Sequence, residues 1–318
     1  MNGCTDAIHV PRWDDRRDGA AVRDSTTTCR AIDAFIQQIT MLTLDQRQAF
    51  TRDGFLVIPG FKGPAEVMAV SERARAIVDA FEPGAQTAVF SSVAPKLLAD
   101  EALIASADQV QCFFEEEAFD AQGKLRQAKA LSINKIGHAL HDRDEVFSAF
   151  SRGPALSELA ADLGLTQPLL WQSQVIFKQP GIGGEVRWHQ DASFFVTEPN
   201  TVTTFWFALE DATLDNGCLW AQPGGQRSPL RERFVREGRT LRMERLDATP
   251  WPDEHVAVPL PVRAGALIVF HGLLPHYSAP NRSPHSRLAY TLHITDASAS
   301  YSAGNWLQRG DELPVRGF

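Results

Sequence analysis

The first clear hydrophobic pattern begins at Met41. Leu42-Thr43-Leu44-Asp45 through Phe50 predicts a capped helix, with Thr43 as N-cap and Leu44, Gln48 and Phe50 on its turns. Gly54-Phe55-Leu56-Val57-Ile58-Pro59-Gly60 then predicts a short strand closed by turn residues. From Pro64 to Phe81, Val67, Val70, Ala74, Ile77, Val78 and Phe81 recur at helical spacing. Another helix is predicted across 144–163, ending at Gly164. Beyond Leu169 the grammar changes to β-branched and aromatic runs bounded by Pro, Gly, Asn and Ser, predicting strands at 170–178, 203–210, 256–262, 266–270 and 287–295. Helices first and strands afterwards predict a mainly β barrel or jelly roll behind a helical front layer. The expected arrangement is a single domain over 41–318, helical over 41–168 and β over 169–318.

Residues 1–40 follow no such pattern. Asp14, Asp15 and Asp18 mix with Arg12, Arg16, Arg17 and Arg23, a Thr26-Thr27-Thr28 run follows, and large apolar residues are few. So little surface to bury predicts a disordered tail with a short helix around 31–39, or a chain whose true start is Met41. The tail lacks the apolar core of a signal peptide, and its Asp content speaks against a transit peptide.

Composition narrows the class. The chain of 318 residues is 44% hydrophobic and 22% charged, ordinary for a globular protein. No window approaches 18 consecutive apolar residues, so no membrane span is predicted. A net charge of −8 argues against nucleic acid as a partner, because phosphate binding wants a basic face. Cys4, Cys29, Cys112 and Cys218 form no CxxC, which fits free thiols in a reducing, cytoplasmic setting. One segment departs from the acidic average. Between Arg227 and Arg245 lie seven arginines against three glutamates, a local charge of +4. It could attract an anionic substrate such as a CoA thioester. The simpler reading is a solvated, salt-bridged excursion between strands.

The candidate chemistry centres on Trp188-His189-Gln190-Asp191 and a distant His276. Two residues apart on an extended backbone, His189 and Asp191 point to one side with Cα atoms about 7 Å apart. Alone, His-x-Asp is common and reads first as a hydrogen-bonded pair on the surface or in the core. A histidine from a neighbouring strand would complete two nitrogens and one carboxylate on one face of a metal, leaving three octahedral positions open. Eleven residues after His276, Arg287 opens a predicted strand and offers a fixed fork to a carboxylate. His271 and Arg282 share that spacing, but Arg282 lies in the turn Asn281-Arg282-Ser283-Pro284, so His276 with Arg287 is the better pair. His138 and His141, three apart, read as structural or pocket-lining residues. Catalytic zinc in a hydrolase would also accept three ligands. A non-catalytic ligand-binding β-barrel is the other rival.

Several blocks together resemble the phytanoyl-CoA dioxygenase family. They are Ile133-Asn134-Lys135-Ile136-Gly137-His138, Phe177-Lys178-Gln179-Pro180 to Val186, His189-Gln190-Asp191-Ala192-Ser193-Phe194, Glu210 to Trp220, and the His276/Arg287 block. The resemblance runs from Met41 to the C-terminus. It implies a double-stranded β-helix (jelly-roll, cupin-like) holding Fe(II) and 2-oxoglutarate, with O2 as second co-substrate and a small organic molecule or acyl-CoA as prime substrate. It implies His189, Asp191 and His276 as metal ligands and Arg287 as the partner of the distal 2-oxoglutarate carboxylate, assisted by the Ser278 hydroxyl. Lys135 and Trp206 fall at positions lining the co-substrate pocket, and Gln174 stands where a similar protein has a methionine. Two departures concern loops: Pro223-Gly224-Gly225-Gln226 replaces the Pro-Gly-Ser-His of many members, and one residue is missing around 199–202. Relatives that halogenate lack the carboxylate that Asp191 supplies, so hydroxylation is the expected outcome.

Overall fold

Thr43 caps the first helix, α1 (Leu44–Asp53), as its sequence requires. Its hydroxyl accepts from the Gln46 amide at 3.2 Å, and its own amide donates to Gln46 Oε1 at 2.9 Å. Gly54 ends the helix in the left-handed conformation, φ 82°, and donates to the Phe50 carbonyl. The computed structural model describes residues 40–83, 97–253 and 255–318. The expected tail up to residue 39, with its helix around 31–39, lies outside them.

After α1 come β1 (Phe55–Ile58) and α2 (Pro64–Ala80), which buries Val67, Val70, Ala74 and Val78 of the predicted stripe. α3 (Leu97–Ala105) leads to β2 (Val110–Phe114) and β3 (Ile133–His138), two strands the hydrophobic pattern did not predict. The single helix expected over 144–163 is instead two, α5 (Glu145–Ser151) and α6 (Pro154–Asp162), preceded by the short α4 (Leu140–Arg143). Gly153 at φ 135° cannot continue a helix, and Pro154 has no N–H to give one, so the chain restarts there. Asp144 caps α5 by accepting from the amides of Val146 and Phe147.

The remaining strands are β4 (Pro168–Lys178), β5 (Val186–His189), β6 (Thr197–Glu198), β7 (Thr203–Ala208) and β8 (Leu219–Ala221). β9 (Glu232–Glu237), β10 (Thr240–Arg245), β11 (Val258–Leu260) and β12 (Leu267–His271) follow. β13 (His276–Ser278), β14 (Arg287–Asp296) and β15 (Ser300–Tyr301) complete the chain. The strand expected over 256–262 shrinks to β11, which ends before Pro261, a residue with no N–H for a ladder; Val262 makes only an isolated bridge to Ala212.

Among the described residues, seven antiparallel strands form a major sheet in the order β1-β12-β7-β14-β4-β3-β2. Four form a minor sheet, β11-β8-β13-β5. The front segment is therefore not purely helical: β1 closes one edge of the major sheet, and β3 and β2 extend the other. Period-two alternation sends side chains to two different cores. On one face Val175, Phe205, Phe207, Tyr290 and Leu292 pack with Val70, Phe147 and Phe150 of the helices. On the other, Trp206, Ala208, Ile268, Phe270 and Ala289 pack with Cys218, Leu219 and Ala221. β14 lies between β4 and β7 and is buried along all ten residues, as expected for a central strand covered on both faces. The result is a double-stranded β-helix with helices on the outside of the larger sheet. Cys112 and Cys218 are free and buried, and no helix among the described residues is long and apolar enough to cross a membrane.

Candidate metal and co-substrate site

Strand pairing brings the predicted triad together. His276 on β13 lies directly opposite His189 on β5, and Asp191 follows two residues after His189, in the turn that leaves β5. The donor atoms of His189, Asp191 and His276 lie within 4.8 Å of one another. His189 Nδ1 is tied to the Arg187 carbonyl at 2.8 Å and His276 Nδ1 to the Leu274 carbonyl at 3.0 Å. A carbonyl can only accept, so both Nδ1 atoms carry the proton and both Nε2 lone pairs are free to bind a metal. Those Nε2 atoms lie 3.4 Å and 3.7 Å from Asp191 Oδ1. Burial, reinforced by His189, lowers the His276 pKa to about 4, which keeps the imidazole neutral. Burial alone would raise Asp191, but His276 and His293 outweigh it and hold the carboxyl well below its usual range. Two imidazoles with their Nε2 atoms turned inward and one carboxylate, on one side of a point, could hold a divalent ion.

The other expected residues lie on the facing sheet. Cross-strand register runs Gln174–Thr291–Trp206–Ile268 across β4, β14, β7 and β12, so these four share one inner row. Lys135, two residues from Gly137 opposite Gln174, lies on the same face and contacts Gln174 Oε1 at 3.2 Å. Burial lowers Lys135 to about 7, with Glu115 acting the other way. Arg287 begins β14 on this face, 1% exposed, with its guanidinium 5.6 Å from the Trp206 ring. Burial brings it down to about 10, so it stays charged at neutral pH. Ser278 is buried on β13, two residues from His276 and therefore on the same face.

A 2-oxo dicarboxylic acid fits this chemistry. Arg287 Nε and Thr291 Oγ1 are buried with no hydrogen-bond partner among the described residues. Such orphaned groups cost on the order of 1–3 kcal/mol each unless something polar meets them.

His138 and His141 do not face each other as a metal pair. His138 Nδ1 meets Ser106 Oγ at 2.8 Å, while His141 Nδ1 meets Ser173 Oγ at 2.7 Å and its Nε2 lies 3.1 Å from Asp142. His271 is a strand-end residue whose Nδ1 accepts from the Leu273 amide, and Arg282 reaches Gly181 and Glu117 on the surface. The +4 segment forms the β9–β10 hairpin. Arg233, Arg242 and Arg245 pair with its own Glu244, Glu237 and Glu232, and Arg239 pairs with Glu101. Gln226 points away from the site and donates to the Thr51 carbonyl at the end of α1.

Three residues escaped the sequence reading. Thr204 and His293 both contact Asp191. Lys178, opposite Arg287, donates to the carbonyls of Gly184, Ser278 and Ala279, and burial together with Arg287 lowers it to about 6. Parity was the available signal for His293: six residues from Arg287 on one strand places it on the same face.

Comparison with known proteins agrees with this geometry. A model of the phytanoyl-CoA dioxygenase (PhyH) family matches residues 50–289. The chain belongs to the phytanoyl-CoA dioxygenase family. Phytanoyl-CoA dioxygenase 1 of Oryza sativa subsp. japonica is 44% identical over 269 residues, covering 84% of this chain and 94% of its own. Phytanoyl-CoA dioxygenase domain-containing protein 1 of Bos taurus is 42% identical over 282 residues, covering 86% and 97%. Among solved structures, the non-heme alpha ketoglutarate dependent carbocyclase SnoK from nogalamycin biosynthesis matches with a TM-score of 0.56 at 18% identity, over 87% of this chain and 97% of its own. EctD from S. alaskensis, solved with 2-oxoglutarate and 5-hydroxyectoine, matches at 0.58 and 18% over 85% of each chain. At such identities the likeness is one of fold, and it agrees with the double-stranded β-helix of this phytanoyl-CoA dioxygenase family member.

Proposed function

We propose that this chain is an Fe(II)- and 2-oxoglutarate-dependent dioxygenase that hydroxylates a C–H bond of a small organic substrate and releases succinate and CO2. The observation that carries this reading is a His–carboxylate–His donor set on one sheet and, on the inner face of the other, a buried Arg287 whose Nε has no partner among the described residues. His189, Asp191 and His276 would hold the metal. Arg287 would pair with the far carboxylate of the 2-oxo acid, with Ser278 and Lys135 beside it and Thr291, Trp206 and Gln174 as floor. Bound together, iron, the 2-oxo acid and O2 would supply the oxidising power to put one oxygen atom into the acid as it loses CO2 and the other into the C–H bond. The protein's share is donor geometry, charge pairing and a dry wall.

The substrate side is aromatic. Phe194 meets the His189 ring edge-on at 6.1 Å and Phe234, from the hairpin, meets Phe194 at 5.6 Å; both rings are half-buried. The names of the relatives speak of an acyl-CoA, but four of the five arginines on the hairpin (Arg233, Arg239, Arg242 and Arg245) are engaged by glutamates, which favours a small organic substrate over a CoA thioester. Free, buried Cys112 and Cys218 suit a reducing compartment such as the cytoplasm.

The test needs no prime substrate. Anaerobic protein with Fe(II) should develop a visible charge-transfer band when 2-oxoglutarate is added. Arg287→Ala should weaken the band while keeping the iron, and Asp191→Ala should lose iron. An iron-loaded chain that gives no band would exclude the oxygenase and favour a metallohydrolase or a binding protein.

A further inference from the structure

Asp191 turns its two oxygens to different neighbours. Oδ1 faces the two metal-side Nε2 atoms, whereas Oδ2 accepts a 2.5 Å hydrogen bond from Thr204 Oγ1 and lies 3.5 Å from His293 Nε2. Thr204 and His293 are cross-strand partners on β7 and β14, both buried, and neither belongs to the triad. The His293 ring is stacked on Phe195 at 4.8 Å, close to parallel at 25°. Its Nδ1 is buried with no partner among the described residues. Nδ1 meets no acceptor and Asp191 lies beside Nε2, so Nε2 is the nitrogen that presents an N–H to the carboxylate.

We infer that Thr204 and His293 are positioning residues that commit Asp191 to binding the metal through Oδ1 alone. The assignment rests on the oxygenase reading above and goes beyond it. A carboxylate can bind a metal through one oxygen or through both. With both, His189, His276 and Asp191 would fill four of six octahedral positions and leave two, enough for a chelating 2-oxo acid but not for O2 as well. Two groups beside Oδ2 oppose that second bond: the charge-assisted hydrogen bond from Thr204 Oγ1 would have to break for Oδ2 to swing toward the metal, and the swing would carry Oδ2 away from the His293 ring 3.5 Å off. Because both donors stand on central strands of the major sheet, the constraint is built into the barrel rather than into the loop that carries Asp191.

The test compares wild type, Thr204→Val and His293→Phe, each close in shape but without the donor, with Thr204→Ser and His293→Gln, which keep one. Three quantities are read anaerobically: Fe(II) affinity by chelator competition, the 2-oxoglutarate charge-transfer band, and binding of nitric oxide, a stand-in for O2, by electron paramagnetic resonance. Thr204→Val and His293→Phe should keep the band, weaken Fe(II) binding by about tenfold, and bind nitric oxide at least about tenfold more weakly. The donor-retaining variants should stay near wild type in all three. Nitric oxide binding unchanged in Thr204→Val and His293→Phe would overturn the assignment, and so would equal losses in the donor-free and donor-retaining pairs. Were Thr204→Val or His293→Phe to misfold, Thr204→Ser and His293→Gln would decide it, since a loss of nitric oxide binding there with the band intact contradicts the role. A wild-type chain that bound no Fe(II) would fail at the earlier step, overturning the function itself.

Discussion

Lys135 sits where burial and function pull in opposite directions. In the free chain its pKa is about 7, against an ordinary lysine value above 10, because the inner face withholds water from its ammonium. A dianionic co-substrate beside it would favour the charged form. At pH below 7 the proton is already in place; above 7 it must be taken up on binding. We therefore expect the 2-oxoglutarate affinity of wild type to fall by up to about tenfold per pH unit above 7. Lys135→Met should bind more weakly and lose that slope. Titrating the charge-transfer band across the alkaline range in both proteins checks this; parallel slopes would remove Lys135 from the pocket. The triad was legible at this scale because His-x-Asp is local, and parity on a strand does the rest. Thr204 and His293 were not legible, because they reach Asp191 from strands 13 and 102 residues away and a lone Thr or His carries no motif.

Among the elements, the β9–β10 hairpin shows how charge and function separate. Its arginines look like an anion trap in the sequence, and the fold gives most of them glutamates instead. Exposed pairs of this kind are weak and salt-sensitive. What the hairpin brings toward the triad is Phe234, packed on the Phe194 ring that meets His189. Replacing Arg236, Arg239 and Arg242 with Gln should leave turnover of a small substrate unchanged, whereas Phe234→Ala should raise its KM. A loss of acyl-CoA binding in the arginine variant, measured by competition, would reinstate the thioester. The element order was readable where periodicity was strong, as in α2 and β14. It failed at β2 and β3, where Gln111, Lys135 and Gly137 interrupt the apolar run because they share the Gln174 side of the sheet, the polar end of its inner face. It also failed at Gly153-Pro154, where two breakers outweigh an otherwise continuous helical pattern.

At the scale of the whole molecule, the proposed ligands bridge two sheets. His189 and His276 stand on the minor sheet, and Arg287, Lys135 and Trp206 on the major one. Anything that binds both should resist their separation. Fe(II) with 2-oxoglutarate, each at 100 times its dissociation constant, should each add about 2.7 kcal/mol to stability. Thermal unfolding should move upward stepwise with metal and then acid, and Arg287→Ala should retain the first step and lose the second. A Tm indifferent to both would contradict a ligand held between the sheets. The jelly-roll class was visible in the change of period after Leu169, but the division into a seven-stranded and a four-stranded sheet was not. Pairing partners are set by long-range register, and β5, β8 and β13 are too short to announce themselves.

β14 is paired on both sides and sealed along its whole length, and it carries Arg287 at its start, Thr291 in its middle and His293 near its end. Six residues of extended backbone fix the span from the guanidinium to the residue that steadies Asp191, about 20 Å between Cα atoms. On the proposed reading this strand is a gauge for molecular length. An acid one carbon shorter than 2-oxoglutarate, such as oxaloacetate, would leave its far carboxylate adrift of Arg287; one carbon longer, as in 2-oxoadipate, would have to buckle. Selectivity among metabolic diacids would then depend on the stiffness of a single strand, and chelate formation across that homologous series would measure it.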